Sequence, residues 1–206
     1  MAKGSSYERD ISKLLSLWFT EGKSEVGFYR TAGSGGRATS RHRGNKEVNA
    51  EEFGDIKAET KECKPFTDTF VIELKTGYAT KTKTKDGTKQ VNWSLLDEID
   101  SKQKETQFFK FWNQVTRDSQ LSKKLPLLIF RRNNKQSCIA MHYDIYKYLR
   151  SIVFDKNHVD KLLVFHSNEY KSIIICNLNS FLEYSDGVLN NKQFLKEIKE
   201  RFKELI

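Results

Sequence analysis

A short apolar segment that carries two opposite charges is where this sequence first suggests chemistry. Residues 70–76 read FVIELKT, and a run of β-branched and aromatic side chains of this length is typical of a buried strand. Glu73 and Lys75 are two residues apart and therefore share one face of that strand, whereas Ile72 and Leu74 share the other. Burying a carboxylate and an ammonium group costs free energy unless they pair or bind a ligand. We therefore expect a functional site at this pair.

A second acidic residue, Asp55, lies upstream in a brief predicted strand at residues 53–57. A predicted turn at residues 63–68 follows, and the two strands are close enough in sequence to pair as an antiparallel hairpin. That pairing would bring Asp55 near Glu73 at one end of a sheet. Two carboxylates and a lysine suit a divalent cation, because Mg²⁺ is held by one or two carboxylates together with phosphate oxygens and water.

The N-terminal segment adds a third acid and a basic loop. Residues 7–19 have apolar side chains at helical spacing, with Glu8 in the first turn, where an acid also has the ordinary role of complementing the helix dipole. Residues 26–31 predict a strand that leads into a glycine-rich loop with no acid before Glu47. The basic residues of this segment are Arg30, Arg37, Arg41, Arg43 and Lys46. Such a loop offers phosphates both cations and backbone N–H groups, and a solvated loop is the alternative.

Residues 33–38 also match GxGxxA, but no apolar helix follows them, so we reject a dinucleotide site. Residues 76–93 alternate Thr and Lys around Asp86-Gly87 and predict a basic β-hairpin. Its lysines Lys81, Lys83 and Lys85 either contact a substrate or protect a sheet edge.

The rest of the chain predicts further elements of a mixed α/β protein. Residues 95–115 predict a helix with an aromatic face, from whose early turns Gln103 and Gln107 could reach toward the site. Strands are predicted at residues 125–131, 137–143, 162–166 and 172–177, the last two joined by a turn at 167–168, and helices at residues 144–154 and 191–206.

Composition limits the classes of protein that this chain can represent. The 206 residues suit one domain, residues 1–206, with a core at about 5–143 and an elaboration at about 144–206. Lys and Arg exceed Asp and Glu by 36 to 27, which favours a polyanionic partner. No apolar run could cross a bilayer and no signal peptide is evident, so we expect no membrane contact and a cytoplasmic location. The three cysteines and four histidines lack metal-binding spacing, which favours reduced thiols and argues against structural zinc.

Taken together, Glu8, Gly54-Asp55 and Glu73-Leu-Lys75 resemble the PD-(D/E)XK nuclease superfamily, with Gly54 where many members carry Pro. The resemblance implies an α/β (α+β) fold with a restriction-endonuclease-like αβββαβ core, a central mixed sheet flanked by helices, and here a C-terminal strand and helix extension. Over residues 5–130 the chain is most similar to archaeal-type Holliday junction resolvases, through Tyr7-Glu8-Arg9, Phe28-Tyr-Arg30 and Gly33-Ser34-Gly35. The loops at residues 33–54 and 76–93 are longer than in a minimal resolvase.

The resemblance also implies a role for each residue. Asp55, Glu73 and the Leu74 carbonyl would bind Mg²⁺, for which Mn²⁺ could substitute, and Lys75 would orient or help deprotonate the attacking water. Glu8 would bind a second metal or a metal-bound water. The residues expected to hold DNA are Arg9, Arg30, Ser34, Arg37, Arg41, Arg43, Lys81, Lys83 and Lys85.

Three classes of function are compatible with these features. The first is a Mg²⁺-dependent DNA endonuclease, either a homodimeric, structure-selective resolvase of branched DNA encoded by a phage or mobile element, or a restriction-type or repair enzyme acting on duplex DNA. The second is a non-catalytic nucleic-acid-binding module with the same fold. The third is a basic structural protein in which Glu73 and Lys75 form only a salt bridge.

Overall fold

The structure is a computed structural model that describes residues 3–31, 53–78, 80–84, 87–91, 93–153, 159, 161–166 and 171–206. The helices, numbered in chain order, are α1 (Lys3–Phe19), α2 (Lys64–Thr69), α3 (Asp97–Asp100), α4 (Gln107–Ser122), α5 (Tyr143–Ile152), α6 (Leu178–Ser185) and α7 (Lys192–Arg201). The strands are β1 (Phe28–Arg30), β2 (Ile56–Ala58), β3 (Phe70–Thr76), β4 (Thr80–Thr84), β5 (Gly87–Val91), β6 (Leu125–Arg131), β7 (Ser137–His142), β8 (Leu162–Phe165) and β9 (Ile173–Asn177). A 3₁₀ turn, Lys203–Leu205, follows α7.

A mixed five-stranded sheet with the order β3-β6-β7-β9-β8 forms the centre of the fold. Strands β3 and β6 are parallel, with Glu73 opposite Leu128, and the other neighbouring pairs are antiparallel. Two further antiparallel pairs, β1 with β2 and β4 with β5, lie outside this sheet. Two C-terminal strands therefore belong to the same sheet as the strand that carries Glu73.

Helices cover both faces of the sheet, as the alternation of side chains along β3 requires. Ile72 and Leu74 pack into one core with residues of α1, α2, α5, α6 and α7. Val71 packs into a second core, mainly with aromatic residues of α4. Glu73 shares the α4 face with Val71, because both lie at odd positions of the strand.

Helix α1 is tied to β1 by a buried serine. The Ser16 hydroxyl donates to the Ser12 carbonyl (2.7 Å) and accepts from the Phe28 N–H (2.8 Å). One hydroxyl thus satisfies the first N–H of the strand and a carbonyl of the helix, which fixes the distance between the two elements.

The predicted mixed α/β class and the αβββαβ order are confirmed by α1, β1, β2, β3, α4 and β6. Several local predictions were wrong. Residues 64–69 form helix α2 instead of a turn, with Pro65 in the first helical turn, which Pro tolerates well. The predicted helix at 95–115 is two helices, because residues 101–106 separate α3 from α4. Helix α6 was not predicted, and the predicted turn at 167–168 lies outside the described residues.

The hairpin predicted between residues 53–57 and 70–75 is also not what the structure contains. Strand β2 pairs with β1, and β3 pairs with β6, more than 50 residues further along the chain. Among the described residues, no helix is long and apolar enough to span a membrane.

The α4 core contains one histidine, His142, at the end of β7. Its side chain is 4% exposed, its ring lies 5.3 Å from the Trp112 ring, and neither ring nitrogen has a hydrogen bond of normal geometry to the residues described. Burial lowers the pKa of His142 to about 4, from an ordinary 6.5, and the positive charge of Lys171 acts in the same direction. The folded protein therefore holds His142 neutral.

We predict that this histidine makes the protein acid-sensitive. Because the folded-state pKa lies below the unfolded value, its contribution is complete above pH 6.5 and is lost as the pH falls toward 4. The loss by pH 4.5 amounts to about 2–3 kcal/mol in the free energy of unfolding. Urea unfolding of the wild type and of His142→Gln at pH 7.5 and 4.5 measures this loss. Between the two pH values the wild type should lose about 2–3 kcal/mol more in the free energy of unfolding than the variant, which lacks the titrating group. An equal loss in both would contradict the assignment.

Candidate active site

Asp55 is positioned by a tight bend that presses against β3. Gly54 has φ +87°, a left-handed conformation that favours glycine, and a Cβ there would lie 3.1 Å from the Ile72 carbonyl oxygen. The bend lets the Asp55 N–H donate to the Ile72 carbonyl (2.8 Å), and the Asp55 carboxylate accepts from the Leu74 N–H (2.8 Å). Proline could not replace Gly54, because its φ is fixed near −65°. The glycine therefore preserves the position of the acid that follows it.

Glu73 points from β3 toward α4 and is almost completely buried, with 2% of its surface exposed. Its Oε1 accepts hydrogen bonds from the Lys75 ammonium, with which it forms an ion pair, and from the Gln114 amide (2.6 Å). Its Oε2 is buried and has no hydrogen-bond partner among the described residues. A buried carboxylate oxygen without a donor is unusual in a native protein and indicates a place for a ligand.

The charged groups of this cluster change one another's pKa values. Burial raises the pKa of Glu73 to about 8, and the Asp55 carboxylate acts in the same direction, whereas Lys75 opposes it. Burial lowers the pKa of Lys75 and the Glu73 carboxylate raises it, with a net shift upward. Asp55 is hydrogen-bonded to the backbone on both sides of Glu73, at Ile72 and at Leu74, so the two carboxylates repel each other. An added cation would relieve that repulsion.

Helix α4 contributes polar groups that the sequence analysis did not identify. Gln114 contacts Glu73 directly, and Asp118, one turn later, is buried with its Oδ1 3.1 Å from the Arg117 guanidinium. Burial raises the pKa of Asp118, against the opposing effect of Arg117. Of the two glutamines that were predicted to support the site, Gln103 is exposed before α4 and Gln107 is the first residue of α4. The glutamine that reaches the site is two turns further along.

Glu8 forms an ion pair with Arg30 across α1 and β1 (2.7 Å). Helix α1 packs on the face of β3 that carries Ile72 and Leu74, opposite to α4. Arg9, the neighbour of Glu8, is exposed. The structure thus joins Glu8 to another residue predicted for the site, and the role of this pair toward a metal or DNA stays a prediction.

The oxygen ligands available at β3, the carboxylates of Asp55 and Glu73, suit a single bound cation. In the part of the chain that the structure describes, no group of three or more His, Cys, Asp or Glu side chains is arranged to hold a metal ion. Mg²⁺ does not require such a cage, since it usually keeps several waters and takes one or two carboxylates plus phosphate oxygens. Asp55 and the unpartnered oxygen of Glu73 supply that minimum.

Several predicted DNA contacts fall outside the described residues, namely Ser34, Arg37, Arg41, Arg43 and Lys85. Lys81 and Lys83 lie in β4, which pairs with β5 as the predicted hairpin requires. Cys63, Cys138 and Cys176 are free thiols, as expected.

An aspartate held against a mixed sheet, followed by Glu-x-Lys on the adjoining strand, defines a nuclease of the PD-(D/E)XK superfamily. The chain belongs to the family described as "Phage putative PDDEXK endonuclease", whose model matches residues 1–191. This membership confirms the superfamily predicted from the sequence and makes nucleic acid the substrate class. No curated protein and no solved structure matches the chain.

We predict that Asp55 stabilises the fold in addition to any chemical role. Asp55→Ala removes the acceptor of the Leu74 N–H and should cost about 1–3 kcal/mol in the free energy of unfolding, measured by urea titration in EDTA. Asp55→Asn keeps an oxygen acceptor and removes the repulsion with Glu73, so it should cost less than half as much. Equal losses in the two variants would contradict the hydrogen bond.

Proposed function

We propose that the protein is a Mg²⁺-dependent DNA endonuclease that hydrolyses phosphodiester bonds. The observation that carries this proposal is the buried Glu73 Oε2, which has no hydrogen-bond partner among the described residues and lies in a cluster with Asp55. The third class of function, a salt bridge with no further role, does not account for an unpartnered carboxylate oxygen beside a second acid. A phage-associated endonuclease family supports the same reaction.

Asp55 and Glu73 would hold the cation, together with the Leu74 carbonyl oxygen. When bound, Mg²⁺ lowers the pKa of a bound water and neutralises charge that develops on the phosphate. The protein prepares this site by fixing Asp55 through the Leu74 N–H and by orienting Glu73 through Gln114. Mn²⁺ has similar ligand preferences and would substitute.

Lys75 would act on the attacking water and on the scissile phosphate. Its ammonium contacts Glu73 and lies 5.9 Å from the centre of the Phe111 ring, so it is held beside the carboxylate. An ammonium group in this position stabilises negative charge on the phosphate and orients the water by hydrogen bonding. Its net pKa shift is upward, which keeps it protonated at neutral pH and favours the electrostatic role over that of a base.

Glu8 and Arg30 would complete the substrate-facing surface. Glu8 binds a second metal or a metal-bound water in this scheme, and Arg30 and Arg9 contact the DNA backbone. Ser34 and the basic residues of the two loops would extend these contacts; the basic residues are Arg37, Arg41, Arg43, Lys81, Lys83 and Lys85. The phage-associated family supports a cytoplasmic location, where phage and host DNA are accessible.

The resemblance to archaeal-type resolvases supports branched DNA as the preferred substrate and a homodimer as the active form. The alternative within the same chemistry is a restriction-type or repair enzyme that uses its long loops to read duplex DNA. The alternative of another class is a binding module without catalysis. Retention of Asp55, Glu73 and Lys75 together argues against that module.

We predict that wild-type protein cuts DNA in Mg²⁺ and that Asp55→Asn and Glu73→Gln each lower the single-turnover rate at least about a hundredfold. A panel of a four-way junction, a flap and a linear duplex, each end-labelled, identifies the substrate. Cleavage should be fastest on the junction.

Glu98→Gln serves as the control and should leave the rate unchanged, because Glu98 is another partly buried acid whose hydrogen bond is with Thr106, outside the Asp55–Glu73 cluster. Equal cutting of linear duplex at one sequence would refute the resolvase assignment but leave the nuclease intact. Wild-type protein that is inert on every DNA and RNA with either Mg²⁺ or Mn²⁺ would favour the binding module.

We predict that metal binding strengthens with pH. Because the pKa of Glu73 is raised to about 8, a cation must displace a proton at lower pH. The apparent dissociation constant for Mn²⁺ should fall up to about tenfold per pH unit below pH 8 and level off above it. Calorimetric titration with Mn²⁺ measures this dependence, and Glu73→Gln should bind weakly at every pH. Binding by the wild type that does not change with pH would contradict the prediction.

A further inference from the structure

Two adjoining hollows on the α2 side of the molecule are lined by lysines. The first, of about 210 Å³, lies between β1, β2 and α2, and the second, of about 610 Å³, lies between α2 and α7. They share Asp68, which is the one acid among their lining residues. The lysines that line them define what we call the lysine groove: Lys57, Lys64, Lys124, Lys192, Lys196 and Lys199. Six cations around one carboxylate form a surface suited to a polyanion.

The groove is built on packed elements. Helix α2 is joined to α7 by the Thr69 hydroxyl, which donates to the Leu195 carbonyl (3.2 Å), and by Lys199, which donates to the Asp68 carbonyl (2.6 Å). Lys57 and Lys124 are only 9% and 7% exposed and form the floor of the first hollow, where the Lys57 ammonium donates to the Phe53 carbonyl. Lys192, Lys196 and Lys199 recur at helical spacing and share one face of α7. The packed elements therefore fix where the lysines emerge, and the exposed Lys64, Lys192 and Lys196 are the ones accessible to a ligand.

The first hollow begins at the backbone of the catalytic aspartate. Thr31, which lines it, donates its N–H to the Asp55 carbonyl (2.9 Å) and its hydroxyl to the Gly54 carbonyl (2.9 Å). The second hollow continues from the shared Asp68 to α7, along which Lys192 and Lys199 are roughly 10 Å apart. The two hollows thus form one basic surface that starts beside the backbone of Asp55 and ends on α7.

We propose that the lysine groove binds the sugar–phosphate backbone of one arm of the DNA substrate, with Lys192 and Lys196 forming its far end. This inference rests on the proposed function and assigns a use to α7. Helix α7 follows residue 191, where the family model ends. Lys192, Lys196 and Lys199 therefore lie just beyond the residues that the family model matches, whereas the other three groove lysines lie within them. Backbone contacts of this kind give affinity and register without reading sequence.

The test compares DNA binding by Lys192→Ala/Lys196→Ala with binding by Lys13→Ala/Lys147→Ala. Both pairs are exposed helical lysines and change the net charge equally, and the control pair lies on α1 and α5, where the lysines pair with Glu25 and Asp144. All proteins carry Asp55→Asn and are measured in EDTA by fluorescence anisotropy. The groove variant should bind a duplex of about 30 base pairs at least about tenfold more weakly at 0.1 M salt, with a salt slope smaller by about 1.8. The control should bind as the parent does.

If the groove and control variants bind DNA with equal affinity, or if the parent does not bind DNA, the proposal that the lysine groove binds DNA is wrong. Groove-dependent binding by a wild-type protein that cuts no nucleic acid would support the groove and refute the proposed nuclease. DNA cleavage by the wild type, combined with equal DNA binding by the parent and the groove variant, would support the proposed nuclease and refute the groove.

Discussion

The burial of the Glu73 carboxylate is the constraint around which the active-site half of the molecule is arranged. A carboxylate that is 2% exposed is costly, and Asp55 increases that cost. Lys75 and Gln114 offset part of it, but both act on Oε1 and leave Oε2 without a partner among the described residues. In the free protein a proton relieves part of the remaining cost, which is why the pKa of Glu73 is raised to about 8. A bound cation would replace that proton and screen the two acids from each other.

Two acids stay close together only if the backbone that carries them is rigid. Strand β3 is fixed on one side by its parallel ladder with β6 and on the other by two hydrogen bonds from the Gly54-Asp55 bend. A side chain at Gly54 would crowd both the Ile72 backbone and Val71, so the bend has little room to move. The departure from Pro at this position is therefore a different solution to the same requirement. The feature that both solutions preserve is the position of the acid, here Asp55, against β3.

Much of this arrangement could be predicted from local sequence, because it depends on alternation along one strand. Glu73 and Lys75 share a face for that reason, and their ion pair follows. The partners of β3 could not be predicted in the same way, since β6 is remote in sequence and α2 replaces the expected turn. Gln114 was missed for a related reason: Phe111, Gln114 and Asp118 lie on one side of α4, but the helix was predicted at residues 95–115, so its early turns were assigned to the site and Asp118 lay beyond its end. Polar residues on an otherwise apolar helix face were the available signal.

The charge distribution poses a problem that the active site alone cannot solve. A centre built from Asp55 and Glu73 repels a polyanion until a cation is bound, so affinity for DNA must come from elsewhere. The proposed lysine groove begins beside Asp55 and ends on α7, a different element from those that carry the two acids. The α7 lysines would therefore attract DNA even when both acids are ionised. In this scheme the two acids bind the cation and the lysines bind the DNA backbone. It also explains why a chain with net charge +9 can keep an acidic centre.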